Sequence, residues 1–180
     1  MDFYINDDTA WLRRAVRWVV NIVVAIACGW FLVYGFGEQV LISGNSMQPQ
    51  LSAQDVVLMN RIIYVTGTPD RFDVVVFERE DGKKNVKRII GLPGETVQIR
   101  DNRVYINGEP LKEDKMGEVS LAGRAADPVR LGEKEYFLLG DNRGSSEDSR
   151  FPNIGNVKRE QILGNAWFRM LQLLNLGFVS

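Results

Sequence analysis

The sequence predicts a mainly β domain carried behind one apolar N-terminal helix long enough to span a membrane. Three observations predict it. Residues 18–37, WVVNIVVAIACGWFLVYGFG, run for 20 positions without a charge. Beyond them, short runs of β-branched and aromatic residues alternate with turn-forming stretches. No second apolar segment approaches spanning length, since WFRMLQLLNLGFV is broken by Arg169 and polar residues.

At about 1.5 Å per residue, a helix of that length crosses a hydrocarbon core. A buried core helix of similar length would show a polar face. A cleaved secretory leader has a shorter apolar region and a small-x-small site, and VYGFGEQVLISG offers none. Arg13, Arg14 and Arg17 crowd the N-terminal flank, whereas Glu38 is the first charge after the run. The positive-inside rule therefore puts the N-terminus in the cytoplasm. The expected organisation is a cytoplasmic N-terminus (1–17), an anchor (18–37) in the bilayer of the cell membrane, and an extracytoplasmic β-rich domain (38–180).

Within that domain the runs VVLMN, DVVVFE, VKRII, TVQIR, RVYIN and EYFLLG are separated by GTPD, EDGKK, GLPGE, NGEP and GDNRG. Such composition and spacing read as an all-β, barrel-like sheet rather than a βαβ fold. The stretch TVQIRDNRVYINGEPL reads as a hairpin with a second turn at Asn107-Gly108. Residues 113–128 are polar and read as a surface loop or mobile insertion. From about Arg159 the spacing of Trp167, Met170, Leu171 and Leu174 predicts a helix docked on the β-domain by one apolar face.

Composition narrows the chemistry. Lys and Arg number 22 against 23 Asp and Glu, so the basic surface that drives nucleic-acid binding is absent. The chain has no histidine, and its one cysteine, Cys28, lies inside the apolar run. A Ser-His-Asp triad, a Cys-His pair and the usual zinc ligand sets all need residues it lacks, and neither a metal nor a cofactor is expected. A hydrolase built on this chain needs another base.

Three segments carry candidate chemistry. SGNSMQP (43–49) places Ser46 in a Gly- and Pro-bearing turn just past the anchor, where a serine ordinarily caps backbone groups. NVKRIIGLPGE (85–95) is a strand on which Lys87 and Arg88 point to opposite faces, so one of them faces inward or towards a cleft. An edge strand can also carry a lysine simply to discourage aggregation. GDNRGSSEDSR (140–150) gathers hydroxyls, carboxylates and guanidiniums in one loop, a pattern shared by functional loops and by solvated turns with ordinary surface ion pairs.

In their order along the chain these segments resemble the signatures of type I signal peptidases: S-M-x-P after the anchor, K-R-I-I-G-x-P-G-[DE], then G-D-N-R-x-x-S-x-D-S-R. The likeness extends to DVVVF (73–77) and GNAWFR (164–169), and the single anchor is similar to Gram-positive forms. The resemblance implies a signal-peptidase/LexA-like catalytic fold. It also implies a Ser-Lys dyad, with Ser46 as nucleophile, Lys87 as general base, Ser146 orienting the lysine amine, and Asp148 and Arg150 as a supporting pair. Chemistry agrees on the choice between Lys87 and Arg88, because a desolvated lysine can lose its proton and an arginine in a protein does not.

The family pattern makes the Ser46 backbone N–H one oxyanion donor. Some relatives supply a second from a serine two residues earlier; here that position is Gly44, which leaves backbone, water or Ser43. Gln50 stands where a threonine is usual, and Phe72 where a glycine is common. The implied substrates are secretory preproteins with small residues before the cut. The alternative is a non-catalytic or dedicated relative that acts as an assembly factor for surface proteins such as pilins.

Overall fold

The structure, a computed structural model, describes residues 10–114, 116–170 and 177–179. Helix α1 (Ala10–Phe36) starts eight residues before the uncharged run and includes its arginine flank. Trp18, Ile26 and Trp30 point outward, each about two-thirds exposed, so no protein surface covers them. The span Ala10–Gly35, of mean hydropathy 2.0, is long and apolar enough to cross a membrane.

Among the described residues twelve strands follow: β1 (Glu38–Leu41), β2 (Val56–Asn60), β3 (Val74–Glu78), β4 (Lys84–Gly91), β5 (Thr96–Arg100), β6 (Arg103–Ile106), β7 (Glu109–Pro110), β8 (Val129–Arg130), β9 (Glu135–Leu139), β10 (Val157–Lys158), β11 (Ile162–Met170) and β12 (Gly177–Phe178). One short helix, α2 (Ile63–Thr66), lies between β2 and β3. The larger sheet runs β1-β2-β11-β3-β4-β9-β10, with β12 also on β11; the smaller runs β7-β6-β5-β8. Every pairing is antiparallel. The chain is mainly β behind one apolar helix, as its sequence predicts.

Period-2 alternation accounts for most of this. In β5 and β6, Val97, Ile99 and Val104 face a core that also holds Ile90, Leu131 and Phe137. Their hairpin turns at Asp101-Asn102, where φ is 49° and 60°, the left-handed values that two-residue hairpins need. Asn107 and Gly108 (52° and 86°) make the second expected turn.

One expectation needs correction. The segment from Arg159 is not a helix: a single 3₁₀ turn (Arg159–Gln161) leads into β11, whose residues alternate between buried and half-buried positions between β2 and β3. Leu163 and Ala166 pack in the core beside β2, and the register shifts between Ala166 and Phe168. The bulge puts Trp167, Phe168 and Phe178 in ring contact, so apolar residues on a bulged strand mimic helical spacing. Leu171 and Leu174 lie outside the described residues. The polar stretch 113–128 is the expected surface loop, since most of its described residues are exposed, and Val119 and Ala125 tie it to the core beside a 3₁₀ turn at Gly123–Ala126.

Candidate active site

The serine turn is pinned by its neighbours. Met47 and Leu51 are fully buried on either side of the turn, and Leu51 N–H donates to the Met47 carbonyl at 2.8 Å. Ser46 is thereby held half-exposed, five residues past the end of β1. Strand β4 brings Lys87 to it: the amine, on a residue 4% exposed, donates to Ser46 Oγ at 2.7 Å and to the Val86 carbonyl at 3.2 Å. Burial pushes the amine down from its ordinary 10.5 to about 8, even though Asp148, Glu147 and Asp141 pull upward; Arg79 adds to the lowering.

Arg88, the next residue, points the other way and is also buried. Its Nε and Nη2 form a fork on Asp141 Oδ1 and Oδ2, each at 2.8 Å, and Nη1 donates to the Phe72 carbonyl at 2.8 Å. Nη2 also reaches Gln50 Oε1. The two positions that depart from the family pattern therefore meet at one arginine. Phe72 sits at φ 73°, left-handed backbone that a glycine adopts at no cost, and its N–H is held by the Ile89 carbonyl at 2.8 Å.

The loop 140–150 completes the site. Asp148 and Arg150 are completely buried: Arg150 Nε and Nη2 meet Asp148 Oδ1 and Oδ2 at 2.7 and 2.8 Å, and Gly140 N–H donates to Oδ2 at 3.0 Å. This is no solvated surface pair. Asn142 N–H donates to the Ser46 carbonyl at 3.0 Å, and its side-chain amide to the Asn45 carbonyl at 3.2 Å, so the loop grips the serine turn directly. A Cβ on Gly140 would press into Ser146 and come within 2.5 Å of the Ser46 carbonyl oxygen, a separation real side chains do not tolerate.

Ser146 lies in this crowd, buried, and its Oγ has no hydrogen-bond partner among the described residues. The Lys87 amine bonds to Ser46 and Val86, not to Ser146. Gly44 lines the cleft, and a Cβ there would meet nothing within 4 Å.

Sequence reasoning missed several members of the site. Asp141, Asn142 and Gly140 lie inside the GDNR motif but had no partner to suggest their roles. Asp114 had no signal at all; its carboxylate takes a fork from Arg143 Nη1 and Nη2 at 2.7 and 2.6 Å, across 29 residues of chain. Arg143 Nε also donates to the Gly140 carbonyl at 3.2 Å. Among the described residues no group of His, Cys, Asp and Glu could hold a metal ion.

A cleft of about 180 Å³ opens at Ser46 and Lys87, bordered by Leu41–Gly44 on one side and Lys84–Val86 on the other. Among the described residues strand β1 is a sheet edge and β9 pairs with β4 only from Arg88 onward, so both borders carry strand edges unpaired by any of those residues. A serine hydroxyl held on a desolvated lysine amine beside such edges is an arrangement that a hydrolase without histidine can use. Residues 15–171 match the family model "Signal peptidase, peptidase S26". The chain is 32% identical over 180 residues to the probable signal peptidase I-2 of Synechocystis sp., covering 96% of this chain and 79% of that one. It is 35% identical over 164 residues to signal peptidase I T of Bacillus subtilis, with 85% and 83% covered. A signal peptidase I crystal structure from Enterococcus faecalis shares 35% identity, with a TM-score of 0.47 over 55% of this chain and 97% of that one. The family-model match and the two relatives place the chain in the signal peptidase family, peptidase S26.

Proposed function

We propose that this chain is a membrane-anchored serine endopeptidase that removes signal peptides from secretory preproteins with a Ser46–Lys87 dyad. The observation that carries the reading is the 2.7 Å contact from a buried lysine amine to the serine hydroxyl. The neutral Lys87 amine accepts the Ser46 proton as Oγ attacks the scissile carbonyl, and passes a proton to the departing amine. Water then attacks the acyl-enzyme, with Lys87 taking the proton of the water, and Ser46 is restored. The oxyanion falls to the Ser46 N–H, with Gly44 leaving open space beside it. Asp148 and Arg150 hold the loop that fixes this geometry. The substrate lies as an added strand between the two unpaired edges.

The dyad works only while Lys87 is neutral, so kcat/KM should rise with pH and level off above an apparent value of about 8. A profile flat from pH 6 to 9 would remove Lys87 as the base.

Ser146 fits a role that forms with substrate: its hydroxyl meets the Lys87 amine once that amine turns to share the serine proton. An unpartnered buried hydroxyl adds nothing to stability. Ser146→Ala should thus melt no lower than the parent while kcat falls about 10- to 100-fold; unchanged kcat would refute this role.

The apolar α1 anchors the chain, with its arginine flank on the cytoplasmic side and the domain outside. Cleavage of a secretory preprotein in liposomes, with product N-termini sequenced, tests the whole reading. Cuts after small-x-small sites are expected, and no cut beside an active control enzyme would turn attention to the assembly-factor alternative.

A further inference from the structure

One ion pair in the cleft stands beside the dyad without touching Ser46 or Lys87 through a hydrogen bond. Arg79, just past β3, donates Nη1 to Glu147 Oε2 at 3.0 Å, and both residues border the cleft with Ser46 and Lys87. The hairpin holds Arg79 through its N–H on the Lys83 carbonyl at 2.9 Å, and Asn153 braces Glu147. The charged groups that bear most strongly on the Lys87 amine are Asp148, Glu147 and Asp141, which favour its protonated form, and Arg79, which opposes it. Lys84 also borders the cleft, paired with Glu38 at 2.6 Å.

These carboxylates differ in access. Asp148 and Asp141 are buried, and each is forked by one arginine, so nothing entering the cleft reaches them. The Glu147 side chain is 53% exposed and that of Arg79 19%. We propose that Arg79 and Glu147 form a charge-reading subsite that favours a precursor with a basic side chain abutting Glu147 over one with an acidic side chain there.

The inference rests on Ser46 and Lys87 being the reacting pair. A basic side chain occupies the open face of the Glu147 carboxylate and neutralises its field at Lys87, so the amine sheds its proton more readily. An acidic one must part Glu147 from Arg79 and adds a second negative charge, which keeps Lys87 protonated. Binding and chemistry push the same way.

The test uses the full chain in detergent and precursor peptides carrying Lys, Ala or Glu in turn at each position flanking the cut. At one position kcat/KM should favour Lys over Glu by about five- to tenfold at low salt, and by less at high salt. Glu147→Gln should bring that ratio close to one, and Glu147→Lys should invert it. On the Ala peptide, the acid limb of the pH profile should move to lower pH in Glu147→Gln and to higher pH in Arg79→Gln. A pair that merely braces the loop would lower activity in both and leave the limb in place. The same charge ratio in the parent and in both Glu147 variants at every position would overturn the proposal. Binding of the same peptides to Ser46→Ala separates the two layers. Preference for Lys that depends on Glu147, beside a parent that cuts nothing, keeps the subsite and removes the dyad; equal binding of Lys and Glu peptides removes the subsite.

Discussion

Ser46→Ala and Lys87→Met are each expected to lower kcat/KM by about 10⁴-fold or more while the chain stays folded. Either change removes the nucleophile or the group that activates it, and such residues act as a unit, so the double variant should lose little beyond either single one. Stability moves the other way for Lys87→Met. The folded amine titrates at about 8 against 10.5 in a free lysine, so the unfolded chain binds that proton more tightly. The parent therefore gains stability as pH climbs from about 8 to 10.5, and below that window it bears the cost of a buried charge. Lys87→Met should melt higher than the parent at pH 7, by roughly 1–3 kcal/mol, and the gap should narrow as pH rises. Thermal melts across pH beside cleavage assays check both halves, and a Lys87→Met variant that melts lower at every pH would mean the amine is not strained by burial.

Arg150→Met is expected to be the most destabilising single change in the catalytic loop, at about 3–5 kcal/mol. It strands the Asp148 carboxylate, completely buried, with only the N–H groups of Gly140 and Arg150 as donors. The same guanidinium also ties down the carbonyls of Leu121, Arg143 and Ser146, at 3.0, 2.8 and 3.3 Å. Its loss frees the loop that grips Ser46, so activity should fall with the melting temperature. Asp148→Leu combined with Arg150→Met should recover part of the loss, because no unpaired charge then remains. A single-variant cost under about 1 kcal/mol would show that water reaches the pair.

The long apolar helix, the mainly β character, both hairpin turns and the opposite facing of Lys87 and Arg88 were legible because each follows from a local pattern: length without charge, period 2, or turn residues. What stayed hidden depends on partners distant in sequence. Asp114 in its polar stretch is indistinguishable from any solvated carboxylate until Arg143 arrives beside it. Asp148 and Arg150 read equally well as a surface pair, since burial depends on what the rest of the fold stacks over them. The strand β11 was misread because a bulge at Trp167 breaks the alternation by which a strand is recognised. Phe72 was noticed as a departure, but only the backbone shows its left-handed conformation.

A single residue, Gly37, separates α1 from β1, and the Arg61 N–H closes on the Gly35 carbonyl at 3.0 Å where β2 ends. That joint leaves little slack between rod and sheet. Under the proposed function, Ser46 is then carried at a set height above the bilayer, and the catalyst searches a thin layer rather than a volume. In that reading, selection of a cut site becomes partly a matter of elevation: a precursor is presented only where its own apolar segment, ending at the same lipid boundary, lifts the scissile bond to that level.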